Sequence, residues 1–151
     1  MKIVILLIST VLSIQASYAQ KMKKSEVPAK VKETFAKKYP GIKSEKWEKE
    51  NNSYEVEFDL NKIESSALFD SIGNFKELEQ EIKISELPKS AISYCTKNLS
   101  EFKISEAAKI TDAGGKISFE AEMKKGKEHY DVIFDEMGSF IKKVGAPVSN
   151  D

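Results

Sequence analysis

The chain has no arginine, and all 24 of its basic side chains are lysine. Lysine is a hydrated point charge without the planar fork of a guanidinium, so arginine-type clamping of phosphate or carboxylate is excluded. Histidine and cysteine occur once each, as His129 and Cys95. A zinc centre draws on several such ligands, and a nucleophilic relay needs a base beside its nucleophile; one pair so far apart in sequence points to neither. His129 therefore reads as an ordinary strand-end residue and Cys95 as a small apolar residue on a helix. A lone cysteine forms no internal disulfide, so the fold must stand on packing. Positive charge is not in excess, since the lysines face 24 acids, and nothing gathers nucleic acid or anionic lipid. Glycine-rich phosphate cradles and EF-hand loops are also missing.

Long apolar runs are missing with one exception. Residues 3–14 follow Met1-Lys2 almost without polar interruption and lead to Ser17-Tyr18-Ala19. That run is shorter than the roughly 20 residues a spanning helix needs, and small residues three and one positions before the break suit a signal peptidase. Residues 1–19 are read as a signal peptide cleaved after Ala19. No cysteine stands there to take a lipid, so the expectation is a protein free in the periplasm or secreted, with no membrane insertion. Taking 19 from 151 residues leaves 132, enough for a real core.

Internal similarity is the strongest positive signal. Ser25-Glu26-Val27-Pro28 recurs sixty residues on as Ser85-Glu86-Leu87-Pro88. Tyr54-Glu55-Val56-Glu57-Phe58 recurs sixty-five residues on as Phe119-Glu120-Ala121-Glu122-Met123, and Phe69-Asp70-Ser71-Ile72-Gly73 recurs as Phe134-Asp135-Glu136-Met137-Gly138. The copies are placed at residues 20–84 and 85–151, with the extra residues of the second falling between Phe102 and Gly115.

Each copy begins with a helical period. Val27, Val31, Phe35 and Tyr39 lie four apart, as do Leu87, Ala91, Cys95 and Leu99, while Pro28 and Pro88 suit a first turn. The period then shortens to two: Tyr54, Val56, Phe58 and Leu60 alternate with acids, and Ile117, Phe119, Ala121 and Met123 do the same. Asp70 with Gly73, and Asp135 with Gly138, have the chemistry of type I turns, the aspartate capping a backbone amide and the glycine accepting positive φ. Asn51-Asn52 and Gly114-Gly115 mark earlier turns. The expected fold is α+β, two tandem repeats, each one helix followed by a four-stranded antiparallel sheet; whether the two sheets join is left open.

In this order, helix, Trp47, the Tyr54–Phe58 block and Phe69-Asp70-x-x-Gly73, the chain resembles the PepSY-like proteins related in fold to beta-lactamase inhibitor protein. The resemblance covers nearly all of the mature chain in both copies. It implies an extracytoplasmic protein that binds or inhibits other proteins without doing chemistry. The second copy departs from it by having Ala108 near the place of Trp47.

No catalytic, metal or cofactor residues are assigned. Glu55, Glu57 and Asp59 point the same way and could be read as calcium ligands, but a wet strand face explains them equally well. Two-carboxylate hydrolysis needs one acid held in an apolar cleft, which nothing in the pattern supplies. The expected partner is an unidentified protein, engaged by the wet face of the sheet through Trp47, Leu68, Ile133, Glu55, Glu57, Glu120 and Glu122. Leu68 and Ile133 are equivalent apolar residues on an otherwise acidic face, covered within the fold or marking a contact. The other reading is an envelope protein binding a small ligand or cation through strand carboxylates.

Overall fold

Nine strands hydrogen-bond in the order in which the chain reaches them. The computed structural model describes residues 20–145; the expected signal peptide lies outside the described residues. Strand β1 (Gln20–Met22) and a 3-10 turn lead to helix α1 (Ala29–Lys38), then β2 (Glu45–Glu50), β3 (Ser53–Leu60), β4 (Ile63–Asp70) and β5 (Phe75–Glu81). A second 3-10 turn leads to α2 (Lys89–Asn98), β6 (Lys103–Asp112), β7 (Ile117–Lys125), β8 (Glu128–Asp135) and β9 (Phe140–Val144).

The expectation of two tandem repeats, each one helix followed by a four-stranded antiparallel sheet, is corrected: the described residues form one nine-stranded antiparallel sheet carrying two helices. Strand β5 pairs with β6 from Glu77↔Asp112 to Glu81↔Ala108, and β1 adds a strand beside β2, with Met22 opposite Trp47. Two separate sheets would leave the edges of β5 and β6 with unpaired backbone groups, and the α2 crossing sets these strands side by side and antiparallel, so joining satisfies both.

Both helices lie on one face. Val56, Ala67, Leu78, Thr111 and Ile117 follow one another across the pairing, and this side carries the apolar residues that α1 and α2 cover. A ten-residue helix is marginal alone in water, so each depends on that packing. Under α1 the core is aromatic: the Phe35 ring meets Trp47 at 5.4 Å, Phe58 at 5.1 Å and Tyr39 at 5.7 Å. Under α2 the helix contributes smaller groups, Ala91 and Cys95, against Ala121, Met123 and Phe134. Ala108 is not the counterpart of Trp47: Trp47 pairs with Val56 as Ala107 pairs with Ala121, so Ala107 takes the inward place and Ala108 turns to the opposite face.

The hairpin turns follow the Asp-x-x-Gly chemistry. Asp70 Oδ1 accepts from the amides of Ile72 (3.1 Å) and Asn74 (2.8 Å), and Asp135 Oδ1 from Met137 (2.9 Å) and Ser139 (2.8 Å). Gly73 and Gly138 have φ of 88° and 78°. Asp112 builds the same turn with Gly115, accepting from Gly114 and Lys116.

Candidate functional site

The face away from the helices is open and acidic because each strand puts every second residue there. Glu55, Glu57, Glu120 and Glu122 all lie on it, as their alternation requires. Strand β5 adds Glu77, Glu79 and Glu81, and β8 adds Asp131; these were not singled out in the sequence, although Glu77-x-Glu79-x-Glu81 repeats the same alternation. Across the join the face is hollowed into two adjoining depressions of about 280 and 580 Å³, both bordered by Glu55, Ser66, Glu79 and Glu120.

Apolar residues form the floor between the acids. Leu68 sits in register between Glu55 and Glu77, and Ile133 between Glu120 and Lys142. Leu68 is half-buried, whereas Ile133 is 8% exposed and largely covered by its neighbours. Ile110, between Glu79 and Ser118, completes this floor. Trp47 does not join it: at 3% exposure it lies on the helix side against Phe35, which removes it from the candidate surface. Asp70, Gly73, Asp135 and Gly138 shape the hairpins and lie in turns.

Crowding and loss of water make these acids hard to ionise. Glu120 is pushed up to about 9, first by burial, then by the charges of Glu79 and Asp131. Glu79 is raised to about 7 by burial and by Glu55 and Asp131. Burial also raises Glu55, against a hydrogen bond from Ser66, and raises Glu77, against Lys142. Asp131 is raised by burial and by Glu122, against His129. Among the described residues none of Glu55, Glu79, Glu120 and Asp131 has an ion-pair partner, although Glu57 pairs with Lys46 at 3.3 Å. Assembling unpaired like charges on a half-buried face costs stability, and such arrangements concentrate at functional sites.

Chemically the face is suited to binding. General acid catalysis by two carboxylates needs environments that push the pair apart, one raised and one ionised. Here Glu79, Asp131 and Glu55, three of the acids near Glu120, are raised along with it. His129 is exposed at the start of β8, and Cys95 is buried on the helix side, where loss of water pushes its thiol up. Among the described residues no three acids, histidines or cysteines come together in a way that could hold a metal ion. No described helix is long and apolar enough to cross a membrane.

The sequence model of one protein family, described as "Putative beta-lactamase-inhibitor-like, PepSY-like", matches the chain twice, over residues 14–64 and 60–142. The chain belongs to that family. No curated protein matches it. Among solved structures it is similar to a DUF2874 family protein from Bacteroides uniformis, with TM-score 0.68, 16% identity and coverage of 82% of this chain and 92% of that one. It is also similar to a putative periplasmic protein from Bacteroides eggerthii, with TM-score 0.66, 14% identity and coverage of 78% and 87%. A BLIP-like protein from Bacteroides fragilis gives TM-score 0.59, 19% identity and coverage of 82% and 88%. At these identities the likeness is one of fold.

Proposed function

We propose that this member of the PepSY-like, beta-lactamase-inhibitor-like family is an exported, non-catalytic binding module that engages another protein through the open face of its sheet. The observation that carries the reading is the set of unpaired carboxylates, Glu55, Glu79, Glu120 and Asp131, around the apolar floor of Leu68 and Ile133. A partner presenting lysine or arginine beside apolar side chains supplies the missing counter-charge and covers the floor together. The family description and the periplasmic relative support an extracytoplasmic inhibitor-like role, in the periplasm or after release. The cation-binding reading is weaker, because the described acids are spread along several strands and do not gather into a metal-holding group.

The test is retention. Immobilised protein is exposed to an extracytoplasmic extract of its source, beside a Leu68→Ser/Ile133→Ser double variant and a Glu79→Gln/Glu120→Gln double variant, both checked for folding by circular dichroism. A protein held by the wild type, lost from both variants and released by raised salt is the expected result. Equal retention by all three would remove this face as the contact surface.

A further inference from the structure

The chain as a whole is neutral, with 24 lysines against 24 acids, but the fold sorts its charges between two layers. Helices α1 and α2 together carry six lysines and a single acid, Glu33. Of these lysines, Lys37, Lys89 and Lys97 are exposed and have no ion pair among the described residues. The opposite layer, the open face of the sheet, holds the unpaired carboxylates of Glu55, Glu79, Glu120 and Asp131.

The two layers also differ in curvature. Glu50 on β2 and Lys142 on β9 border the same depression of about 580 Å³, although seven strand spacings, about 34 Å, would part these strands in a flat sheet. The same curl brings Lys142 near enough to act on the Glu77 carboxyl, four strands away. The acidic face is therefore the hollow of the sheet, and the helices stand on its convex side.

We propose that the acidic hollow of one copy receives the helix layer of a second copy, head to tail, with lysines of α1 and α2 set against the open-face carboxylates. This rests on the reading of the open face as a contact surface and names this chain itself as a partner. A second copy supplies what the face lacks, charge of the opposite sign on a surface of the opposite curvature. Lysine stems lie along the apolar floor of Leu68 and Ile133 while their heads reach the acids. The approach of ammonium groups favours the ionised carboxylates that crowding disfavours. Zero net charge lets two copies meet without long-range repulsion. Each exposed pair contributes little alone, so the contact depends on several acting together and weakens with salt.

Such a contact joins two different patches, so a copy that has lost one still offers the other. Sedimentation equilibrium at pH 8 compares the wild type with a Lys37→Gln/Lys89→Gln/Lys97→Gln variant and a Glu55→Gln/Glu79→Gln/Glu120→Gln variant, each checked for folding by circular dichroism. The wild-type average mass is expected to rise with concentration in about 20 mM salt and to fall to that of the monomer in about 500 mM. Each variant alone stays monomeric. Their equimolar mixture joins one intact helix layer to one intact hollow and stops at two chains, about twice the monomer mass. A wild type that is monomeric in low salt, association indifferent to salt, or a mixture that stays monomeric would overturn the proposal. The wild-type salt series needs no variant, and because it is read on purified protein, its failure leaves the capture of a different protein by the open face to the retention test.

Discussion

Glu79 on β5 and Glu120 on β7 stand on the same open face with β6 between them, and neither has an ion-pair partner among the described residues. After loss of water, the Glu79 charge is the largest influence that keeps Glu120 protonated. The pair spans the join between the halves of the chain, so its electrostatics exist only because β5 and β6 became neighbours.

Stability falls as pH rises through neutrality. The folded-state values of about 7 for Glu79 and about 9 for Glu120 lie above the unfolded value of 4.5, so the native state binds more protons than the unfolded state. Their contribution is complete below pH 4.5 and is lost as pH rises through 7 towards 9. Asp70 and Asp135 act oppositely: hydrogen bonds hold them below the ordinary value of 3.8, and their contribution is lost as pH falls through that region. Chemical denaturation from pH 5 to pH 9 is expected to show a loss on the order of 2–4 kcal/mol. A flat or rising profile would contradict the crowding described for this face.

Replacing one of the crowded carboxyls, which is ionised in the unfolded chain but resists ionisation in the fold, stabilises the protein and weakens the site. Glu120→Gln keeps the side-chain shape without the charge and is expected to add about 1–2 kcal/mol at pH 8, raising the melting temperature by about 3–8 °C. The same variant loses affinity for a basic partner. Thermal melts at pH 8 and pH 5 check the first part, because the gain shrinks at the lower pH.

Two glycines of similar φ separate close approach from conformational freedom. A Cβ on Gly138 would run into Ser90 Oγ and come to 2.7 Å from Pro88 Cβ and 3.0 Å from the Ala91 nitrogen, whereas Gly115 at φ 84° has nothing within 4 Å. Gly138→Ala is expected to cost about 3 kcal/mol or more, and Gly115→Ala about 1 kcal/mol. Urea unfolding of both variants reads the difference. Equal losses would mean that the hairpin turn is not pressed against the start of α2.

Truncation under the two helices has unequal effects. Phe35 and Cys95 occupy equivalent helix positions, but Phe35 is ringed by Tyr39, Trp47, Phe58 and Phe69. Phe35→Ala is expected to cost about 3–5 kcal/mol and Cys95→Ala about 1 kcal/mol. Denaturation midpoints compared at constant m-value decide it.

Much of this was legible because it is local. Apolar spacing of four set α1 and α2, spacing of two set β3, β4, β7 and β8 with their wet and dry faces, and the Asp70 and Asp135 turns carry their own hydrogen bonds. Three elements escaped for the same reason in reverse. The bulge between Ile104 and Glu106 in β6 shifts the register, so counting along the sequence pointed to Ala108 where the pairing selects Ala107. Strand β1 is three residues long, too short to show a period. Trp47 could be read from the sequence as core packing or as an interface anchor, and the burial against Phe35 decides for the core.

The sequence by itself determined the two rows of acids on β3 and β7, since side-chain direction alternates along any strand. Only the tertiary structure decided that β5 would bring Glu79 between them, by pairing with β6 into one sheet and withdrawing these carboxylates from water. Burial and the distance between charges belong to the folded surface, and no short stretch of sequence holds Glu55, Glu79 and Glu120 together.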